Sequence, residues 1–141
     1  MSNKLNAKFL QTYIELDTSC ELRFGVETGG VTEYITRLID SRYAPDRDDV
    51  LPRLVKYRNI RNRLAHEDGA LRNLNEITKS DIRWLENFKR DVVKKKDPIS
   101  LHLHKTRRYA RRRKFTKPLF FILSILAIAV AAVISYIFLL Q

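Results

Sequence analysis

The sequence predicts an all-α protein, with a bundle of about four helices followed by one C-terminal transmembrane helix. Three observations predict this class. Apolar residues in the first 97 positions recur every three or four residues, which is the period of an α-helix. The same part has no stretch that alternates strictly between apolar and polar residues, as a half-buried strand would. Finally, residues 119–140 form a run of 22 residues without a charge, glycine or proline.

The charge of this 141-residue chain is concentrated in one segment. The formal net charge is +11. Residues 94–117 hold eleven Lys or Arg and one acid, whereas residues 1–93 hold sixteen bases and fifteen acids. We therefore expect three parts: a helical domain at 1–97, a basic juxtamembrane linker at 98–117 and a transmembrane helix at 118–141. Since the domain is nearly neutral, the high isoelectric point does not make the whole chain a nucleic-acid binder.

The first two helices are predicted from their apolar spacing and from the glycines between them. The first is expected to end at Gly25, because glycine favours the turn that follows a helix. A short second helix follows the loop at 26–30. Their inward positions are Leu5, Phe9, Tyr13, Leu16, Cys20 and Phe24 in the first helix, and Val31, Tyr34, Ile35 and Leu38 in the second.

The third and fourth helices each have a recognisable start. The third is predicted to begin with Asp49 as its N-cap and Pro52 in its first turn, and to run to about His66. The fourth starts at Thr78 with an acid three residues later, a capping-box pattern. Its inward positions are Ile82, Leu85, Phe88 and Val92. Pro98 is predicted to close it, leaving a polar connector.

The apolar run at 119–140 is predicted to span the cell membrane. As a helix with a rise of about 1.5 Å per residue it is about 33 Å long, which exceeds the roughly 30 Å hydrocarbon core. Lys and Arg beside a span stay on the cytoplasmic side, so we expect the N-terminal domain in the cytoplasm. The basic side chains expected at anionic lipid are Arg107, Arg108, Arg111, Arg112, Arg113, Lys114 and Lys117. The same segment has an alternative interpretation as an RNA-binding arm.

The third helix carries the residues that point to chemistry. With Leu54 at zero and about 100° per residue, its apolar stripe centres near 0°. The residues that define the stripe are Leu51, Leu54, Val55, Tyr57, Leu64 and Ala65. Arg58 and Arg61 fall inside that stripe, where a charge is costly unless it is paired. Asn62 and His66 form an i,i+4 pair at its edge. One interpretation is a pair of structural arginines bridged to acids of neighbouring helices; the other is a functional site.

The segment Tyr57–Asp68, YRNIRNRLAHED, resembles the R-N-x-x-x-H form of the motif of HEPN domains, which are small α-helical bundles. The matching residues are Arg61, Asn62 and His66, toward the end of a long helix as in that superfamily. The resemblance covers roughly residues 5–95. It implies metal-independent cleavage of RNA, with Arg61 and His66 catalytic and Asn62 supporting. Arg58, which lies in the same stripe of the third helix but outside the motif, is a second supporting candidate. The resemblance also implies a homodimer or higher homo-oligomer, because HEPN sites are typically built from two copies.

This chemistry requires no cofactor or metal, and none is predicted. RNA supplies its own nucleophile in the 2′-hydroxyl, a histidine can give or take a proton near neutral pH, and a guanidinium can hold the phosphate. His102 and His104 lack a third ligand nearby, so they do not indicate a metal site. The aromatic residues Tyr57, Trp84 and Phe88 are expected in the core rather than at a base-stacking surface.

Two other functions remain open at this level. The domain could be a non-catalytic, membrane-bound module that dimerises or docks a regulatory protein partner. Alternatively, the spans of several copies could perturb the bilayer, as in a defence effector. RNA and membrane lipid are the partners of the first interpretation, in which a defence or stress role is expected only by analogy.

Overall fold

Residues 2–139 form six α-helices and no strand in the computed structural model. The helices are α1 (Ser2–Phe24), α2 (Gly30–Asp40), α3 (Arg47–His66), α4 (Ala70–Asn73), α5 (Lys79–Val93) and α6 (Pro98–Leu139). The structure describes the backbone of residues 2–139 and the side chains of residues 3–109, 123–132, 134–136 and 139. The chain divides into two compact units, Met1–Leu103 and His104–Gln141. The all-α class is confirmed.

The turn between α1 and α2 depends on glycine. Gly25 and Gly29 have φ angles of 69° and 72°, which side chains rarely adopt, and Gly25 ends α1 as predicted. Gly30 then starts α2 directly against the backbone of α1. A Cβ atom on it would lie under 3.0 Å from backbone atoms of Asp17 and Glu21. The Asp17 carboxylate also accepts a hydrogen bond from the Val31 N–H at 2.6 Å, which satisfies a free donor at the start of α2.

The start of α3 differs from the prediction. The helix begins at Arg47, with Asp46 before it at a φ of 55°, so Asp49 lies within the first turn and is not the N-cap. The first helical hydrogen bond runs from the Val50 N–H to the Asp46 carbonyl at 2.9 Å. An acidic residue anywhere in a first turn suits the helix dipole, so composition alone did not fix the cap. Pro52 lies inside the helix near its start and α3 ends at His66, as expected.

The short helix α4 was not predicted, because four residues are too few to show a period. Asn6 of α1 satisfies one carbonyl of α4 and the carbonyl that follows the helix: its buried amide donates to Leu71 O at 3.0 Å and to Leu74 O at 2.8 Å. The next start was predicted correctly. Thr78 and Asp81 form a reciprocal capping box at α5.

Pro98 begins a helix, whereas the sequence predicted that it closes one. The break comes earlier, at Lys95, whose φ is 56°. Proline has a fixed φ and no N–H, and both properties suit the first turn of a helix. The Asp97 carboxylate accepts from the Ser100 N–H at 3.3 Å, as an N-cap side chain does. Residues 98–100 are buried in the first unit, so the connector starts as part of the core.

A chain of aromatic contacts runs through the core of the first unit and joins four helices. Phe9 meets Tyr57, with ring centroids 5.6 Å apart, and Tyr57 meets Trp84 at 5.4 Å. Trp84 stacks on Phe88 at 4.9 Å, and Phe88 meets Tyr34 edge-on at 5.2 Å. Tyr57 and Phe88 are buried and Trp84 is half-buried, so their predicted place in the core is confirmed.

Residues 104–139 of the second unit are helical. The predicted span at 119–140 lies partly outside the described side chains, which omit 119–122, 133, 137, 138 and 140. Among the residues that are described, no helix is long and apolar enough to cross a membrane.

Candidate functional site

The buried face of α3 is rotated relative to the predicted one. Its buried side chains, in order, are Val50, Leu54, Tyr57, Ile60 and Leu64. On the scale used above they centre near about 300°, a rotation of about 60° from the predicted stripe. Ala65, predicted inside the stripe, is exposed. The rotation moves the polar residues of the motif away from the core and toward the surface.

The residues of the motif differ in exposure around α3. Arg61 is half-buried at the margin of the core, and its Nη1 donates to Asn62 Oδ1 at 3.3 Å. Asn62 and His66 are exposed and lie one turn apart on the side of the helix opposite the core. Arg58, half-buried, lies one turn before Asn62. The helix turns about 140° between Arg61 and His66, so one chain does not bring these two side chains onto the same line.

Arg58 and Arg61 have no carboxylate partner among the described side chains. The structure describes six half-buried Lys and Arg side chains: Arg23, Arg47, Arg58, Arg61, Arg63 and Lys89. The other four lie within 4.0 Å of a carboxylate, with partners Asp97, Asp48, Glu67 with Glu76, and Glu15. The interpretation of Arg58 and Arg61 as structural arginines bridged to acids therefore finds no ion pair in the described part of the chain.

Tyr13 of α1 interacts electrostatically with both arginines. Its ring is buried beside Phe9, with centroids 6.5 Å apart. Burial raises the pKa of the Tyr13 hydroxyl, and the nearby Asp17 carboxylate raises it further, while Arg61 and Arg58 act in the opposite direction. The net effect is upward, so the phenol stays protonated at neutral pH and can donate a hydrogen bond.

The electrostatic interaction of Tyr13 with the two arginines was not found from the sequence. Tyr13 was assigned to the core of α1 from its spacing, which is correct for the ring but says nothing about the hydroxyl. No signal in the spacing of α1 shows which residues of α3 face it. The only available hint was that tyrosine, unlike phenylalanine at position 9, carries a polar tip that needs a partner when buried.

The predicted membrane-surface residues lie in the second unit. Arg107 and Arg108 are exposed, while Arg111, Arg112, Arg113, Lys114 and Lys117 lie outside the described side chains. In the described part of the chain, no group of three or more His, Cys, Asp or Glu side chains could hold a metal ion.

Around α3 lie two half-buried guanidiniums without a carboxylate partner among the described side chains, a surface amide and an exposed imidazole, and the buried Tyr13 of α1 interacts electrostatically with the two guanidiniums. Guanidiniums bind phosphate through two parallel hydrogen bonds, and an imidazole can transfer protons near neutral pH. Such a set suits the binding of a phosphodiester and proton transfer beside it.

Comparison with known proteins identifies a family. Residues 7–119 match the model of a family of unknown function (DUF6548), and the chain belongs to that family. Neither a curated protein nor a solved structure matches the chain.

Proposed function

Because the chain belongs to a family of unknown function, its activity has to be inferred from the site, and we propose that it is a membrane-anchored, metal-independent endoribonuclease of the HEPN type. Arg61 and His66 are its catalytic residues, Asn62 and Arg58 support them, and RNA is the substrate. The protein works at the cytoplasmic face of the cell membrane, with a defence or stress role by analogy.

The observation that carries this proposal is the state of the R-N-x-x-x-H residues on α3. Arg61 is half-buried without a carboxylate among the described residues, and it is held by Asn62 at 3.3 Å. His66 is exposed on the last turn of α3. A guanidinium that is oriented but not neutralised is free to take a phosphate as its counter-charge. A histidine kept at the surface is free to exchange protons with a substrate.

The chemistry follows from these two groups. The 2′-oxygen of a ribose attacks the adjacent phosphorus, and the bond from phosphorus to the 5′-oxygen breaks. One proton leaves the 2′-hydroxyl and one is added to the 5′-oxygen, which leaves a 2′,3′-cyclic phosphate and a 5′-hydroxyl. His66 performs one of these transfers, and Arg61 stabilises the charge that develops on the phosphoryl oxygens.

A second copy of the chain completes the site. Arg61 and His66 are separated by about 140° around α3, so a single helix presents only part of the machinery to any one phosphate. A two-fold pairing of α3 helices places His66 of one copy near Arg61 of the other. The active species is therefore a homodimer, or a higher homo-oligomer built from such pairs.

The membrane anchor is the apolar run at 119–140, preceded by the basic segment that ends at Lys117. Its support is the sequence: 22 residues without a charge, glycine or proline, which follow closely on Lys and Arg residues. Small residues recur every four positions along the run, at Ala127, Ala131 and Ser135, which lets two helices approach closely in lipid. Pairing of spans raises the effective concentration of the soluble halves.

Cleavage of mixed RNA in EDTA tests the enzymatic part. Full-length protein is compared with His66→Ala, and the product ends are identified chemically. We expect cyclic phosphate and 5′-hydroxyl ends from the parent, at least about a hundredfold fewer from His66→Ala, and unchanged cleavage from the control His104→Ala. Products that persist in His66→Ala, or that disappear when EDTA is added, refute the proposal.

The same variants separate the remaining functions. A protein that cleaves no RNA but still pairs through residues 1–103 is a non-catalytic interaction module. Membrane depolarisation that survives His66→Ala but is lost with residues 119–140 indicates a membrane-perturbing effector. Protease added to sealed, right-side-out cells tests the orientation: residues 1–117 should remain intact, and their digestion from outside refutes a cytoplasmic domain.

A further inference from the structure

A second feature, outside the HEPN-like motif, lies where Tyr13 of α1 meets Arg58 and Arg61 of α3 in electrostatic interaction. We call this region the seam between α1 and α3. Arg58 lies one turn before Arg61 on α3 and is half-buried, and it has no carboxylate within 4.0 Å among the described side chains. Tyr13 lies on α1 and is 3% exposed. Neither residue belongs to the R-N-x-x-x-H motif; Arg58 lies one turn from Arg61 on α3, and both arginines interact electrostatically with the Tyr13 hydroxyl.

Burying a charge without a partner costs free energy, so these positions require an explanation. Elsewhere in the described part of the chain the cost is met by carboxylates. Arg63, two residues after Arg61 on α3, lies 2.7 Å from Glu76 and 3.3 Å from Glu67. The acid nearest in sequence to Tyr13 on its own α1 face is Asp17, whose Oδ1 is engaged by the Val31 N–H at 2.6 Å. In the described part of the chain, therefore, no carboxylate lies within 4.0 Å of Arg58 or Arg61, and both half-buried guanidiniums remain open to water or to a bound anion.

We propose that Arg58 and the Tyr13 hydroxyl form a binding subsite for the RNA phosphodiester that neighbours the one held by Arg61. This rests on the proposed function, because it takes the Arg61 phosphate as its reference. Residues at i and i+3 on a helix have Cβ atoms about 5–6 Å apart, so two guanidiniums can hold two adjacent phosphates of one strand. The strand then runs along the seam, toward the N-terminal end of α3.

The phenol contributes a neutral donor to this subsite. Burial and the Asp17 carboxylate raise the pKa of Tyr13, against the opposing influence of Arg61 and Arg58, so the O–H is retained at neutral pH. A protonated phenol donates to a phosphate oxygen, whereas a phenolate would repel it. Tyr13 and Arg58 are thus positioning residues, which hold the strand while Arg61 and His66 act on it.

RNA binding measured without cleavage tests the subsite separately from the nuclease activity. The parent is full-length His66→Ala in detergent, and the probe is a short fluorescent single-stranded RNA followed by anisotropy at several salt concentrations. Adding Arg58→Gln should weaken binding about tenfold and reduce the salt slope by about one. Adding Tyr13→Phe, which keeps the ring, should weaken binding about threefold.

Arg63→Gln is the matched control, because it removes a half-buried arginine of the same helix whose charge is already balanced. It should change affinity less than twofold. If Arg58→Gln does not fold, Arg58→Lys replaces it, and should keep the salt slope while losing part of the affinity.

The inference is overturned if Arg58→Gln leaves RNA affinity and salt slope unchanged, or if the parent does not bind RNA. It is also overturned if Arg58→Gln weakens binding to anionic-lipid vesicles but not to RNA, which would assign the phosphate to a lipid. A protein that binds RNA through Arg58 but never cleaves it supports the subsite and refutes only the nuclease.

Discussion

The guanidinium of Arg23 and the carboxylate of Asp97 form a buried ion pair, with Arg23 Nη1 2.7 Å from both carboxylate oxygens. The Asp97 side chain is fully buried and also accepts from the Tyr34 hydroxyl at 3.2 Å. Arg23 Nη2 donates to Ser100 Oγ at 2.8 Å. One carboxylate thereby joins the end of α1, the middle of α2 and the start of α6.

Breaking this pair should destabilise the first unit strongly. Asp97→Asn leaves the Arg23 charge buried without its partner, a change that typically costs about 3–5 kcal/mol. We expect a loss of about 3 kcal/mol in the free energy of unfolding, measured by urea denaturation of full-length protein and followed by circular dichroism. The control is Glu86→Gln, which removes an exposed ion pair with Lys8 at 3.2 Å and should cost less than about 1 kcal/mol. Equal effects of the two substitutions would contradict a structural role for the buried pair.

Gly30→Ala should destabilise the contact between α1 and α2. The added Cβ would meet backbone atoms of Asp17 and Glu21, which cannot rotate away as a side chain would. Such overpacking costs about 1–3 kcal/mol, and thermal unfolding is the measurement. Gly25→Asn is the control, because asparagine tolerates a positive φ and a Cβ at that position meets no atom within 4 Å. A Gly30→Ala protein as stable as Gly25→Asn would show that the helices can separate at no cost.

Asp81 should contribute an acid-sensitive part of the stability. Burial raises the pKa of Asp81, but hydrogen bonds from Thr78 and Tyr57 together with the Lys56 ammonium outweigh it, and the net pKa is lowered. The stabilisation is therefore fully present above the unfolded pKa of about 3.9, and is lost as the pH falls through the lower, folded pKa. We expect the unfolding free energy of Asp81→Asn to fall less steeply below about pH 4 than that of the parent. An exposed acid, Asp68, provides the control; parallel curves for the parent and Asp81→Asn would be the contrary result.

Arg61→Lys should separate activity from stability. Lysine keeps the charge at a half-buried position but loses the planar fork that binds phosphate at two points. RNA cleavage should fall at least about tenfold, while the midpoint of thermal unfolding stays within about 2 °C of the parent. Arg72→Lys, on the exposed side of α4, should change neither quantity. A large stability loss without a specific loss of cleavage would instead assign Arg61 to the packing of α1 against α3.

The elements that sequence predicts well are those whose signals are local. The capping box at Thr78 and the helix end at Gly25 each depend on a few adjacent residues, and both are confirmed. The rotation of α3 was predicted wrongly because it depends on what lies across from it. The predicted stripe included Ala65, which is exposed, and left out Ile60, which is buried. Both residues are apolar, so only the packing of α3 against neighbouring helices shows which of them is in the core.

The same limit applies to the candidate site and to Pro98. The motif at Arg61 and His66 is visible in the sequence, but two features come from long-range packing: Arg61 has no carboxylate partner among the described side chains, and it interacts electrostatically with Tyr13. Pro98 is equally compatible with ending one helix and beginning another. The buried Asp97, 74 residues from Arg23, decides between them.

Trp84 gives the molecule an internal optical reporter. It is the only tryptophan of the sequence, and its ring stacks on Phe88 with an interplanar angle of 6°. The Arg53 guanidinium lies 5.7 Å from the centre of the ring. Since residues 104–141 contain no tryptophan, indole emission excited at its red edge originates in the first unit alone. Unfolding of the bundle can therefore be followed in vesicles or micelles without removing the apolar tail, because residues 104–141 contribute no indole emission to the background.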